Sequence, residues 1–270
     1  MRADSSRPRE RSSSVNIGSI VRSLTVTPIE GLPEIHPGDD LAALIASAAS
    51  RQGDALRDGD VLAVAQKIVS KAEGRIVHLA DVVPSRRARE MAEEAGKDPR
   101  QIEVVLSETA EIVRWAHGVL ISETRHGFVC ANAGVDRSNA GAPETVILLP
   151  VDPDASAAKL RADLKTRTGA SVAIVVTDTF GRAWREGHMN VAIGIAGLPA
   201  LKRYMGLHDP DDYELRVTEI AVADEVAAAS ELVMGKLDRR PAAIVRGLIV
   251  TEPGETARDY VRPAERDLFR

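Results

Sequence analysis

The stretch VAIVVTDTFGR, residues 172–182, decides how this chain is read. Its opening run of apolar, mostly β-branched residues predicts a strand over residues 172–177 that is buried on both faces. The apolar run stops abruptly at Asp178, followed by Thr179 and Gly181. Side chains at the end of a buried strand are firmly held and face a crevice. A carboxylate beside a hydroxyl there suits Mg²⁺ or Mn²⁺, which take oxygen ligands and share them with substrate phosphates. The same residues equally suit a turn in which Asp178 caps the segment that follows.

Three further stretches carry chemistry. NAGVDRSN, residues 132–139, places Asp136, Ser138 and Asn139 close together behind Gly134. Its carboxylate is a second candidate metal ligand, or else the segment is an Asx-rich loop. QKIVSKAEG, residues 66–74, puts Lys67 and Lys71 at helical i,i+4 spacing, where both can face one phosphate chain or both can be solvated. GRAWREGH, residues 181–188, adds Arg182, Arg185 and His188, candidates for holding an anionic substrate. The chain has no Walker A sequence and no GxGxxG between a strand and a helix, so any nucleotide is held by another architecture. The remaining histidines show no metal-ligand spacing. Cys130 lies in an apolar segment and reads as buried rather than nucleophilic.

Around these stretches the pattern predicts strands at residues 23–29, 60–65, 215–222 and 242–250. It predicts helices opening at Asp39 and Asp40 and running to Ala49, at 86–95, from Pro99, at 155–168 and at 224–234. Residues 119–122 and 128–131 read as a hairpin around a glycine-containing turn. Strands and helices mix without strict alternation, which points to an α+β or irregular α/β fold. Residues 1–20 are rich in Ser and Arg and read as a disordered tail; residues 251–270 read as a loosely held end.

Composition bounds the function. With 270 residues, 44% hydrophobic and 28% charged, the chain suits one large domain or two small ones. Aromatics are only 3%, so the core rests on Val, Ile, Leu and Ala. A formal net charge of −5 argues against broad nucleic-acid binding. The single cysteine allows no internal disulfide and fits a reducing compartment. The apolar stretches are too short to cross a membrane, and the first residues lack the apolar core of a secretory signal. A cytoplasmic protein is the expectation.

Taken together the segments resemble the coenzyme F420-0:L-glutamate ligases, also called F420:γ-glutamyl ligases. The resemblance runs from about Val26 to Val250 through ordered blocks: GLPEI (31–35), GDDL (38–41), VSKAEGR (69–75), NAGVDRSN, LPVDPDASA (149–157), VTDTFGRAWR (176–185), VADE (222–225) and VRGL (245–248). It implies a GTP-dependent ligase that joins L-glutamate to the carboxylate end of a deazaflavin coenzyme, coenzyme F420-0, whose side chain carries a phospholactate; later rounds add γ-linked glutamates. It implies the family's own α+β fold, a two-domain subunit in an intertwined homodimer, with the ligase module over residues 21–250. It implies Mg²⁺ or Mn²⁺ at Asp136, Asp178 and Thr179, with K⁺ a further candidate cation. It implies a GTP site lined by Leu32, Pro33, Glu34, Ile35, Gln66, Lys71, Asn139, Met234, Gly235 and Lys236. The chain departs from the family twice: Gln66 stands where members often have Ser or Thr, and Lys236 where some have a metal-binding Glu. Two other functions use the same residues: a metal-dependent phosphoesterase, and a non-catalytic GTP-binding regulator.

Overall fold

A computed structural model of the chain describes residues 23–138, 140–249 and 256–268. The expected tail over residues 1–20 and the candidate Asn139 lie outside the described residues. In chain order the elements are β1 (Thr25–Pro28), α1 (Leu41–Arg51), β2 (Val61–Ala65), α2 (Gln66–Ala72), β3 (Ile76–His78), α3 (Arg86–Ala95), α4 (Pro99–Glu108), β4 (Thr109–Ala116), β5 (Val119–Thr124) and β6 (Val129–Ala131). They continue as β7 (Thr145–Ile147), α5 (Pro153–Thr168), β8 (Ala173–Arg182), β9 (Arg185–Ala196), β10 (Lys202–Arg203), β11 (Glu219–Ile220), α6 (Val222–Met234) and β12 (Ala242–Arg246). Helices and several sheets mix as the α+β reading expects.

The central sheet has the order β1-β12-β2-β8-β9. Within it β2 and β8 run parallel and the other neighbours antiparallel. Alternation along a strand sends successive side chains to opposite faces, and here both faces are covered. Leu62, Val64, Ile174 and Val176 meet Ala42, Ile45 and Ala48 of α1 and Leu160 and Leu164 of α5. Val61, Ala173 and Val175 meet Ala223, Val226 and Ala227 of α6. This layering explains why VAIVV is apolar without interruption.

The helices start where their caps dictate. Asp40 accepts from the Ala43 amide at 3.0 Å to open α1, and Asp152 does the same for the Ala155 amide at 3.0 Å to open α5. Between α2 and α5 the chain builds a third apolar cluster, in which Val104 and Val105 of α4 pack with Leu79, Leu120, Val135 and Val146. The predicted hairpin is present as β5 and β6, extended by β4 on the other side. The half-buried Asp154 carboxylate accepts from the amides of Ile195 and Ala257 at 2.8 and 2.9 Å.

Three expectations need correction. The strand that carries Asp178 does not end there: β8 continues to Arg182, because β9 pairs with it antiparallel from Asp178↔Val191 to Arg182↔Arg185. What ends at that level is its other neighbour, since β2 stops at Ala65 opposite Thr177. Of residues 215–222 only Glu219–Ile220 form a strand, paired with β10, and Val222 already begins α6. The strand expected over 242–250 ends at Arg246.

Strand β9 also approaches α5 closely. A Cβ built on Gly194 would stand 2.3 Å from the Pro153 carbonyl oxygen, a backbone atom that cannot swing aside. Gly194→Ala is expected to cost about 1–3 kcal/mol through overpacking. Urea unfolding checks this: the midpoint should fall without a change in slope.

Candidate active site

The stop of β2 at Ala65 opens an edge beside β8. Beyond Thr177, β8 pairs with β9 on one side and, among the described residues, with no strand on the other. Two backbone devices shape this place. The chain leaves β2 directly into α2, so Gln66, Lys67 and Lys71 rise from the carboxyl end of a strand parallel to β8. The β8–β9 ladder also shifts register between Val176↔Gly194 and Thr177↔Ala192, leaving Ile193 as an extra residue on β9. Such a bulge re-aims the side chains beyond it. The Ala192 amide beside the bulge donates to Asp224 Oδ1 at 2.8 Å.

On the face that meets α2, Asp178 is partly buried beside a second acid. Burial pushes its carboxyl up to about 7; the Asp136 charge adds to this, while the Thr179 amide, Lys67 and Lys236 oppose it. Asp136 behaves differently. Burial alone would raise its carboxyl, but the Lys67 ammonium at 2.7 Å and the Ser138 amide at 2.7 Å outweigh that and hold it below its ordinary value. Asp136 is pinned by backbone bonds with Ile147 in both directions. The structure shows the Asx turn of this stretch, closed by Ser138, and places the Asp136 carboxylate within charge reach of Asp178. Cys130 on β6 is buried; burial pushes its thiol up to about 12 and Asp178 adds to the rise, so it is inert as a nucleophile, as its sequence setting predicts.

On the opposite face, Thr179 lies across from Asn190 on β9, and its hydroxyl donates to Asn190 Oδ1 at 2.7 Å. The Lys236 ammonium, from the segment after α6, donates to Thr179 Oγ1. Gly235 makes that return possible: it ends α6 at φ 61° and ψ 170°, with the Asp238 carboxylate where a Cβ would stand. Asn190 and Glu231 were not singled out in the sequence. The one signal was a polar Asn at the start of the apolar run after His188; only the β8–β9 pairing reveals its partner.

The two lysines of α2 do not converge on one partner. Lys67 holds Asp136 and Ser138, whereas the buried Lys71 pairs with Glu34 in the loop between β1 and α1. That loop carries Leu32, Pro33 and Ile35, of which Ile35 is buried and Pro33 exposed. Gln66 is buried; its Oε1 accepts from Ser70 and its Nε2 has no partner among the described residues. Arg182 and Arg185 face each other at the base of the β8–β9 turn, and Arg182 donates to the Glu186 carbonyl. Among the described residues no hydrogen bond or ion pair joins Arg185 or His188 to the Asp178 cluster.

Two carboxylates within charge reach of each other are oxygen donors of the kind a divalent cation takes, although Asp136 is ion-paired with Lys67 here. No group of three His, Cys, Asp or Glu side chains suited to a metal occurs among the described residues. A cation here would keep positions open for water or phosphate oxygens. The orphaned Gln66 amide is a buried donor that a polar ligand would satisfy.

The sequence profile of the F420-0:Gamma-glutamyl ligase family matches residues 31–247. The chain belongs to this family. It is 44% identical over 252 residues to the coenzyme F420:L-glutamate ligase of Methanothermobacter thermautotrophicus, covering 92% of this chain and 99% of the relative. It is 46% identical over 253 residues to that of Methanopyrus kandleri, covering 92% and 98%. It is 44% identical over 246 residues to that of Archaeoglobus fulgidus, covering 91% and 96%. The family match spans every described candidate, from the loop after Gly31 to Lys236, so the resemblance drawn from the motifs is shown.

The Asp178 charge has a consequence for folding. Its folded pKa of about 7 lies above the model-compound value of 3.8, so the folded state binds the proton more tightly than the unfolded chain. The Asp178 contribution to the stability of the metal-free protein therefore falls as pH rises from about 4 to about 7, and its loss is complete above that window. Asp178→Asn should raise the melting temperature of metal-free protein at pH 8 and leave it nearly unchanged at pH 4. Equal effects at both values would show that the buried charge carries no such cost.

Proposed function

We propose that the chain is a GTP- and divalent-metal-dependent ligase that joins L-glutamate to coenzyme F420-0 through an amide bond. Family membership and the names of the full-length relatives support the ligase and its substrates. The observation that supports the phosphoryl chemistry is the meeting of Asp178, Thr179, Asp136, Lys67 and Lys236 where β2 stops beside β8. Asp136, Asp178 and Thr179 would hold Mg²⁺ or Mn²⁺, which supplies charge neutralisation at the triphosphate; K⁺ is the candidate for a further cation. The loop of Leu32, Pro33, Glu34 and Ile35, with Gln66, Lys71, Met234, Gly235 and Lys236, would line GTP, and Asn139 belongs to the same set. Arg182 and Arg185 are the candidates for the anionic substrate.

A carboxylate does not condense with an amine in water without activation. In this reading the coenzyme's carboxylate oxygen attacks the γ-phosphorus of GTP, the bond to the β-phosphate oxygen breaks, and GDP leaves. The acyl phosphate then meets the glutamate amine; the new C–N bond forms, inorganic phosphate leaves, and the amine loses a proton. Lys67 and Lys236 supply positive charge near the transferred group, where such reactions gain most from positioning and electrostatics. Further γ-linked glutamates, an intertwined homodimer of two-domain subunits and a cytoplasmic setting complete the proposal. Among the described residues no helix is long and apolar enough to cross a membrane.

The decisive measurement is product mass. Protein, GTP, Mn²⁺, glutamate and coenzyme F420-0 should yield a product heavier by one glutamyl residue together with GDP. Release of phosphate without glutamate would point to a phosphoesterase, and GTP binding without turnover to a regulator. Asp178→Asn should lower kcat on the order of a thousandfold or more while the fold persists; near-normal turnover at saturating Mn²⁺ would remove Asp178 from the site. Light scattering at micromolar concentration should report a dimer.

Lys236 makes a directional claim of its own. An ammonium has donors and no lone pair, so it cannot bind a cation, but it can neutralise phosphate. Lys236→Ala should raise the KM for GTP, with only partial rescue by Mn²⁺, and Lys236→Glu should increase the dependence on divalent metal. Wild-type kinetics in both variants would make Lys236 a bystander.

A further inference from the structure

Thr179 offers one hydroxyl, and a hydroxyl has two faces: it can present its hydrogen or its lone pairs. Only the lone pairs can hold a cation. The structure contains what decides between them. Glu231 Oε2 on α6 lies 3.0 Å from Asn190 Nδ2. A carboxylate that accepts from an amide requires the NH₂ end to face it, so Asn190 is fixed with its carbonyl Oδ1 toward Thr179. That oxygen only accepts, and at 2.7 Å it takes the Thr179 hydroxyl hydrogen. The lone pairs of Thr179 are left pointing elsewhere, and the Lys236 ammonium, which can only donate, meets one of them. Two independent contacts therefore set the same polarity. Asn190 is 3% exposed, so its amide has no solvent alternative. Its remaining contact, to Thr177 Oγ1, is at 3.5 Å and long.

We propose that Asn190 and Glu231 are positioning residues: the relay Glu231–Asn190–Thr179 holds the Thr179 hydroxyl with its lone pairs presented to the cation. The inference rests on the reading of Thr179 as a cation ligand. Neither Asn190 nor Glu231 touches the cation in this arrangement. Each acts through Thr179, as outer partners do when they orient a ligand and tune its affinity.

The test is Mn²⁺ affinity, read from the electron paramagnetic resonance of free Mn²⁺ titrated into full-length protein saturated with a non-hydrolysable GTP analogue. Asn190→Leu keeps the side-chain volume and removes the acceptor; it should weaken Mn²⁺ binding about tenfold. Thr179→Val should weaken it at least as much. The double variant should bind no more weakly than Thr179→Val alone, because Asn190 has nothing left to orient. Glu231→Ala should weaken binding in the same direction, and Glu231→Gln, which keeps an acceptor for the Asn190 amide, should restore it. If Asn190→Leu does not fold, the same cycle run with Glu231→Ala and Thr179→Val carries the test. Wild-type affinity in Asn190→Leu or Glu231→Ala, or losses that add to that of Thr179→Val, would overturn the relay while leaving Thr179 as a ligand. Wild-type affinity in Thr179→Val would overturn the ligand reading itself, and the relay with it.

Discussion

The parallel pairing of β2 with β8 ends at Ala65 opposite Thr177, and the rest of the site depends on where it ends. A parallel pair directs the two following segments to the same end of the sheet. Here one partner turns into α2 and the other runs on beside β9. The open flank of β8 therefore lies next to the start of a helix that carries Gln66, Lys67 and Lys71. Had β2 continued, its backbone would have claimed the hydrogen-bonding edge of β8. Had β8 stopped with it, Thr179 would have had no Asn190 opposite.

This geometry gives consecutive residues separate surroundings. Asp178 points to the face of α2 and meets the charges of Lys67 and Asp136, while Thr179 points to the face of α6 and meets Asn190 and Lys236, whose charge also reaches Asp178. Alternation along a strand usually separates core from solvent; here it separates a carboxylate raised by burial and neighbouring charge from a hydroxyl held by hydrogen bonds. Both remain at one strand edge. Burial raises the Asp178 carboxyl, and acids shifted in this way cluster at functional sites, though structural networks shift them too.

Much of the architecture was legible because it rests on local rules. The apolar run of β8, the caps at Asp40 and Asp152, the helix 86–95 and the hairpin around residues 124–128 each have a signal within a few residues. The family was legible because many ordered blocks coincide. The end of β8 was misread for a physical reason: apolar patterning reports burial, and β8 becomes polar at Asp178 while its pairing with β9 persists. The segment before α6 was misread for the converse reason, since its branched residues suit a strand but find a partner only at Glu219–Ile220. Asn190 and Glu231 stayed hidden because their meaning comes from the β8–β9 register, which pairs residues 11 apart, and from the placement of α6 on the sheet, which joins residues 41 apart.

Lys236 and the proposed cation compete for the same oxygen, and this constrains how the site would work. The ammonium already uses a lone pair of Thr179, and the backbone that delivers it is held by the left-handed turn at Gly235. On the proposed reading, a cation arriving at Thr179 displaces the ammonium, whose long stem lets it move while its charge stays near. The nearest gain for a displaced ammonium is the triphosphate that brings the cation. A Glu at this position would be drawn toward the cation instead. On that reading Lys236 would offer phosphate a direct contact where a Glu would offer a metal a carboxylate.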